Sequence, residues 1–278
     1  MSTNKVFILI GLCTAITHSV FSQGLWAHID DWKAQTRVAI FRDIKSRYLT
    51  SANVDHYESI KLKSSDILPV LDTFAKIPDA DGLRIYFLFT DESHNLQVDY
   101  RNKLTLLLIP TKLIENKSID INDKAFVWYN GKFNSVNKQI NTDIRSWLNR
   151  YKLVMLGFEK GLKSDFPIHS DYREDSCLWY SQYAFFRKFS NSKKDLATYL
   201  QESEKEFEIN FAAWSLELGE KKYAFKTDLI FKIDNGYSYT FAYNEVLEDS
   251  LNISDSEKEK LLAAFANTGS PCPPDKCP

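Results

Sequence analysis

Hydrophobic positions along this chain recur in two periods, and the switches between them divide it into helices and strands. From Asp30 to Tyr48, Val38, Phe41, Ile44 and Tyr48 return at three- and four-residue steps, which predicts an amphipathic helix followed by a loop. Ser64 or Ser65 then caps a second helix to about Lys76, with Ile67, Val70, Leu71 and Phe74 on one face and Asp66 near the positive end of its dipole. Pro78-Asp79-Ala80-Asp81-Gly82 reads as a turn. Leu83 to Phe89 is a strand apolar on both faces, hence central in a sheet, and Leu104 to Ile109 is a second one stopped by Pro110. Phe126 to Tyr129 adds a short strand before Asn130-Gly131 turns the chain. Between about Ser135 and Phe158 the positions Val136, Ile140, Ile144, Trp147, Leu148, Tyr151, Met155 and Phe158 give the clearest helical period of all.

The remainder alternates in the same way. Lys160 to Ser176 is polar and turn-rich; Cys177 to Phe189 and Lys193 to about Lys205 read as helices; Glu208 to Glu217, Lys222 to Asp234 and Tyr237 to Tyr243 read as strands. Ser254 with Glu257 forms a capping box for a last helix ending before Gly269 and Pro271. The pattern predicts an α+β fold with antiparallel sheets flanked by helices. Helix, strand, loop, strand occurs in the same order in both halves, which fits two similar helix-plus-hairpin units, although that unit is common in any α+β protein. The expected division is a leader over 1–22, a first α+β unit over 23–133, a connecting helix over 134–161, a second α+β unit over 162–270 and a Cys/Pro tail over 271–278.

The first 23 residues have the layout of a secretory signal peptide. Lys5 supplies the charged n-region, Val6 to Thr17 is apolar but too short for an anchor, and Val20 and Ser22 suit cleavage between Ser22 and Gln23. The expected location is therefore secreted or periplasmic. No later run approaches the roughly 18 apolar residues of a spanning helix, so no integral membrane segment is expected after cleavage.

Composition narrows the partners. Hydrophobic residues make up 44% of the chain and charged residues 26%, as in a folded globular protein. Loss of Lys5 with the leader changes 35 basic residues to 34 against 37 acidic ones, a net charge of −3. Such a balance exerts no pull on a phosphate backbone, which argues against nucleic acid. Three cysteines follow the leader. Cys272 and Cys277, either side of Pro273 and Pro274, can close a short disulfide loop in an oxidising compartment; a bridge from the tail to Cys177, free thiols and a metal chelate are the other arrangements.

Tyr237, Tyr239, Phe241 and Tyr243 alternate, which puts four rings on one face of a strand, either as a platform for sugars or as core. The preceding Asp234-Asn235-Gly236 decides the matter. A two-residue loop pairs Asp234 with Tyr237 and joins the rings to a charged face. A three-residue loop pairs Ile233 with Tyr237, Phe231 with Tyr239 and Leu229 with Phe241, which alone unites the apolar faces, so core is the expectation.

Motifs for chemistry are sparse. Asp91, Glu92 and His94 share one loop, and His169, Asp171, Glu174 and Cys177 share another; each set contains acid/base groups. The plainer reading has Asp171 and Glu174 capping a following helix and the acidic neighbours of Cys177 opposing a thiolate. Asp79-Ala80-Asp81-Gly82 lacks the remaining ligands of a calcium loop. No phosphate-binding glycine loop, nucleophile elbow or C-x-x-C pair occurs, and no catalytic, cofactor or metal site is assigned.

Gly82-Leu83-Arg84-Ile85-Tyr86-Phe87, Leu104 to Thr111 and the terminal Pro271-Cys272-Pro273-Pro274 with Cys277 resemble uncharacterised Bacteroidetes-type secreted proteins, which carry a G-[IV]-R-[IV]-Y-[FY] strand and a P-C-P-P-x-C tail. Here one extra residue separates Pro274 from Cys277, and Leu88 stands where a glycine often follows. The resemblance covers about a third of the chain and implies a fold unit rather than an activity. The functional expectation is a non-enzymatic binding or interaction protein of the cell envelope or extracellular space, its partner unknown. A hydrolase using the acidic and histidine loops, and a carbohydrate-binding protein, are the alternatives.

Overall fold

The structure, a computed structural model, describes residues 27–29, 31–56, 59–92, 96–115, 117–136, 138–165, 174–181, 185–186, 197, 200–201, 206–214, 225–233 and 237–240. It is an α+β fold built on two antiparallel sheets. In chain order the elements are β1 (Ala27–Ile29), α1 (Asp31–Ile40), a π-helical turn (Phe41–Ser46), α2 (Arg47–Ser51), β2 (Ser59–Lys63), α3 (Ser64–Ala75), β3 (Ala80–Phe89), β4 (Leu104–Ile114), β5 (Lys117–Asp120), β6 (Phe126–Tyr129), β7 (Lys132–Ser135), α4 (Lys138–Asp165), β8 (Cys177–Ser181), β9 (Glu206–Ala213), β10 (Thr227–Ile233) and β11 (Tyr237–Thr240).

The first sheet runs β1-β11-β10-β9-β2 and the second β7-β6-β4-β3-β8, with β5 paired to β4. Each sheet takes a strand from the other half of the chain, β2 lying beside β9 and β8 beside β3. Phe207, Phe211, Leu229 and Phe231 of the first sheet share one core with Leu83, Ile85, Phe87 and Phe89 of the second. Tyr180 of β8 meets Phe231 of β10 edge to face at 5.7 Å, the geometry that suits the ring quadrupoles. On the other face of the second sheet, Tyr86, Leu88, Leu107 and Val127 pack with Ile144 and Trp147 of α4.

Turn chemistry explains the strands the sequence placed well. Asn130 and Gly131 both have positive φ, 52° and 75°, as a tight two-residue hairpin loop requires, and Tyr129 pairs with Lys132. In the last hairpin Ile233 pairs with Tyr237 and Phe231 with Tyr239, the register of the three-residue loop. Positions 237 and 239 thus share the face of Phe231. Asp234 to Gly236, Phe241 and Tyr243 lie outside the described residues, as do Cys272, Cys277 and the last helix.

Several local expectations change. Cys177 to Ser181 forms strand β8 and not the start of a helix, because its side chains sort by twos: Leu178 and Tyr180 enter the shared core while Cys177 faces the Tyr86 side. Gly82 permits that pairing, since a Cβ there would lie 2.5 Å from the Trp179 ring and from the Tyr180 carbonyl. Pro110 does not end β4, which continues to Ile114; the Pro110 carbonyl accepts from the Ile121 N–H at 2.8 Å, so its missing donor faces the side where the ladder passes from β6 to β5. Ser59 to Lys63, expected as loop, is strand β2. Helix α3 is capped by the Asp66 carboxylate accepting the Lys63 N–H at 3.0 Å, not by a serine.

Candidate functional site

Helix α1 and its π turn separate the two places where polar groups concentrate. In its first half the helix lies on the outer face of the first sheet, where Ala34 and Val38 meet Ala212 and Ile230. Arg37, buried, pairs with Asp228 at 3.2 Å and lies 3.9 Å from the centroid of the Trp214 ring. The wider π turn then brings Phe41, Lys45 and Ser46 inward together, and Phe41 stacks near Phe211 at 5.8 Å on the inner face. Lys45 donates to the Thr227 hydroxyl. Two cations eight positions apart on one helix therefore hold neighbouring residues, Thr227 and Asp228, on opposite faces of β10.

Lys45 is the centre of a buried ionic network. Its ammonium, 1% exposed, donates to Glu174 and lies 5.5 Å from the Phe158 ring. The second Glu174 oxygen accepts the Thr227 N–H at 2.9 Å, and the Glu174 N–H donates to Glu159 at 2.7 Å. Tyr151 donates to the Asp175 carbonyl at 3.2 Å, and Lys226 lies 3.1 Å from the Asp175 carboxylate. Glu174 thus caps no helix: it leads into β8 and joins α4, the π turn and β10.

Burial governs the protonation of this network. It lowers the Lys45 pKa against the pull of Glu174 and Asp175, and it pushes the Tyr151 phenol far above its usual range. Asp175 is raised to about 7, first by burial and then by Glu174, with Lys226 and Lys45 opposing. Lys45, Tyr151, Glu174 and Asp175 are buried against one another and Lys226 reaches them from the edge, so the network ties α4, the π turn and β10 together.

A second tie fastens the β4–β5 hairpin. Asp81 accepts from the hydroxyls of Thr111 at 2.6 Å and Ser118 at 2.5 Å, so it lies in a strand bulge and not in a free turn. Asp120 accepts from Arg84 and from the Tyr86 hydroxyl at 2.7 Å. The Tyr86 pKa is raised by burial.

An open groove of about 610 Å³ lies between α1 and the outer face of the first sheet. Asp31, Gln35 and Arg42 line the helical side and Glu208, Asn210 and Lys232 the sheet side, with Ala34, Val38, Ala39 and Ile230 between them. The register sets Lys232 opposite Glu208 and Ile230 opposite Asn210. Among the described residues no ion pair engages Glu208 or Lys232.

Of the residues singled out from the sequence, Asp91 and Glu92 follow the end of β3. Glu92 is exposed and accepts from the Asn102 amide at 2.9 Å. His94, His169 and Asp171 lie outside the described residues. Cys177 is buried in the outer core of the second sheet. Neither the groove nor the Lys45 network was read from the sequence. The available signal was Lys45 standing four residues after Phe41 and four before Leu49, inside an apolar stripe. Among the described residues no group of three or more His, Cys, Asp and Glu is placed to hold a metal, and no helix is long and apolar enough to cross a membrane. The chain matches no family model, no curated protein and no solved structure.

Proposed function

We propose that this is a non-enzymatic binding protein of the cell envelope or extracellular space, and that the groove under α1 is where it holds its ligand. One observation carries the reading: among the described residues no ion pair engages Glu208 or Lys232 on the sheet floor of the groove, whereas the carboxylates of the Lys45 network are engaged internally. Replacing exposed Gln35 with a photoreactive benzophenone amino acid in the native host should give a discrete ligand adduct on irradiation. Asn210→Trp, which fills the floor, should remove that adduct. An adduct no stronger than one from the same group at exposed Thr50 would defeat the groove as the binding surface.

Export is part of the proposal, supported by the charged and apolar pattern before Gln23. Intact-mass measurement of the protein from its native host should find a chain beginning at Gln23. A chain retaining Met1 would end the export reading.

A further inference from the structure

We propose that the groove binds a neutral saccharide chain, with Trp32 stacking on a sugar ring at its rim; this rests on the groove being the binding surface. Gln35, Asn210, Asp31, Glu208 and Arg42 are all planar groups with two adjacent polar atoms. Such pairs match the neighbouring hydroxyls of a pyranose, each of which both donates and accepts. The lining carries two acidic residues, Asp31 and Glu208, and two basic ones, Arg42 and Lys232, with Arg42 also paired to Asp43 at 3.1 Å, so it exerts little net pull on an anion or a cation.

Trp32 supplies the other half of sugar recognition. Its indole is 57% exposed in the first turn of α1, directly after Asp31 and one turn before Gln35, which puts it on the flank of the helix beside the groove. The Lys33 ammonium lies 5.7 Å from the ring centroid, and a flat aromatic ring more than half exposed still offers a surface to the C–H face of a pyranose. Ala34, Val38 and Ile230 continue that apolar strip into the groove, and its volume falls in the range of about 300–1,000 Å³ typical of small-ligand sites.

Other occupants fit less well. A peptide cannot extend the floor by strand addition, because β9 is paired on both sides by β10 and β2, and β10 by β11 and β9. A wholly apolar ligand would strip water from Glu208, Asn210 and Lys232 without replacing their hydrogen bonds.

The test is calorimetric titration of the full chain with cellohexaose, maltohexaose, chitohexaose and β-1,4-mannohexaose. At least one should bind, Trp32→Ala and Asn210→Ala should each weaken it about tenfold or more, and Trp32→Phe should keep most of the affinity. Thermal melts of exposed-site variants at Trp32 should match the parent, which separates lost contact from lost fold. Failure of all four sugars, or binding indifferent to both alanine variants, overturns the saccharide. A non-saccharide adduct at Gln35 would also overturn it while leaving the groove reading intact, whereas the absence of any groove-specific adduct would remove both.

Discussion

Glu174→Gln is expected to destabilise the fold by about 2–4 kcal/mol, because it leaves the Lys45 ammonium enclosed without its counter-ion. The amide oxygen can still accept the Thr227 N–H, so the backbone bond that Glu174 serves is retained and the loss reports on charge. Adding Lys45→Met should recover most of the deficit. A buried ion pair costs much of its attraction in desolvation, and an unbranched apolar chain fills the volume beside Phe158 without any charge to satisfy. Urea unfolding of the parent, both single variants and the double variant forms a thermodynamic cycle. Additive losses would mean that Lys45 and Glu174 stabilise the fold independently and would end the account of a coupled pair.

Asp175→Asn is expected to stabilise the protein at pH 8 while changing it little near pH 4. The Asp175 carboxyl has a folded pKa of about 7 against an ordinary value near 3.8, so between those values the folded state binds more protons than the unfolded one. Stability from this group is therefore greatest at low pH and is lost as pH rises toward 7. A shift of this size, which already contains the opposing pull of Lys226, sets an upper limit of about 4 kcal/mol on the gain at pH 8, and a gain of about 1 kcal/mol or more is the expected result. Lys226 keeps partial access to water, so loss of its partner does not strand it. Lys45 also feels the charge of Asp175, so the difference between parent and variant reports on Asp175 together with its pull on Lys45. Melting curves from pH 4 to 8 should be flatter for the variant; a variant less stable than the parent at pH 8 would show that the Lys226 pair outweighs the cost of burial.

The two predictions concern residues that local sequence could not mark. Lys45 and Glu174 are 129 positions apart, and Arg37 and Asp228 are 191 apart, so nothing near either member announces its partner. Charged residues ordinarily remain in water, and periodicity assigned the buried stripe of the first helix to Val38, Phe41, Ile44 and Tyr48. In the fold Phe41 is buried and the other three are half-buried, while Arg37, Lys45 and Ser46 are fully enclosed. The π turn is part of the reason, because it moves the inward stripe off the ordinary helical step at Phe41. Strands with a strong local signal were legible: β3, the first part of β4, β6 with its Asn-Gly turn, and the register between β10 and β11. Strand β8 was not, since a short run of Leu, Trp and Tyr satisfies either a helix or a strand until Arg84 and Tyr86 are known to lie beside it. The groove arises from packing between α1 and strands far along the chain, which no single segment encodes.

The crossing of β2 and β8 between the two sheets also has a consequence for how the chain comes into being. As residues leave the ribosome in order, Ile60 and Leu62 are made long before Phe207 and Ile209, the strand partners that sit opposite them. Through that interval the early segment has no template to pair with, and closure of the first sheet waits on one of the longest loops in the molecule. A newborn chain with these apolar positions unmatched is the state most open to wrong association, so the period before β9 emerges is when this protein has the greatest need of a chaperone.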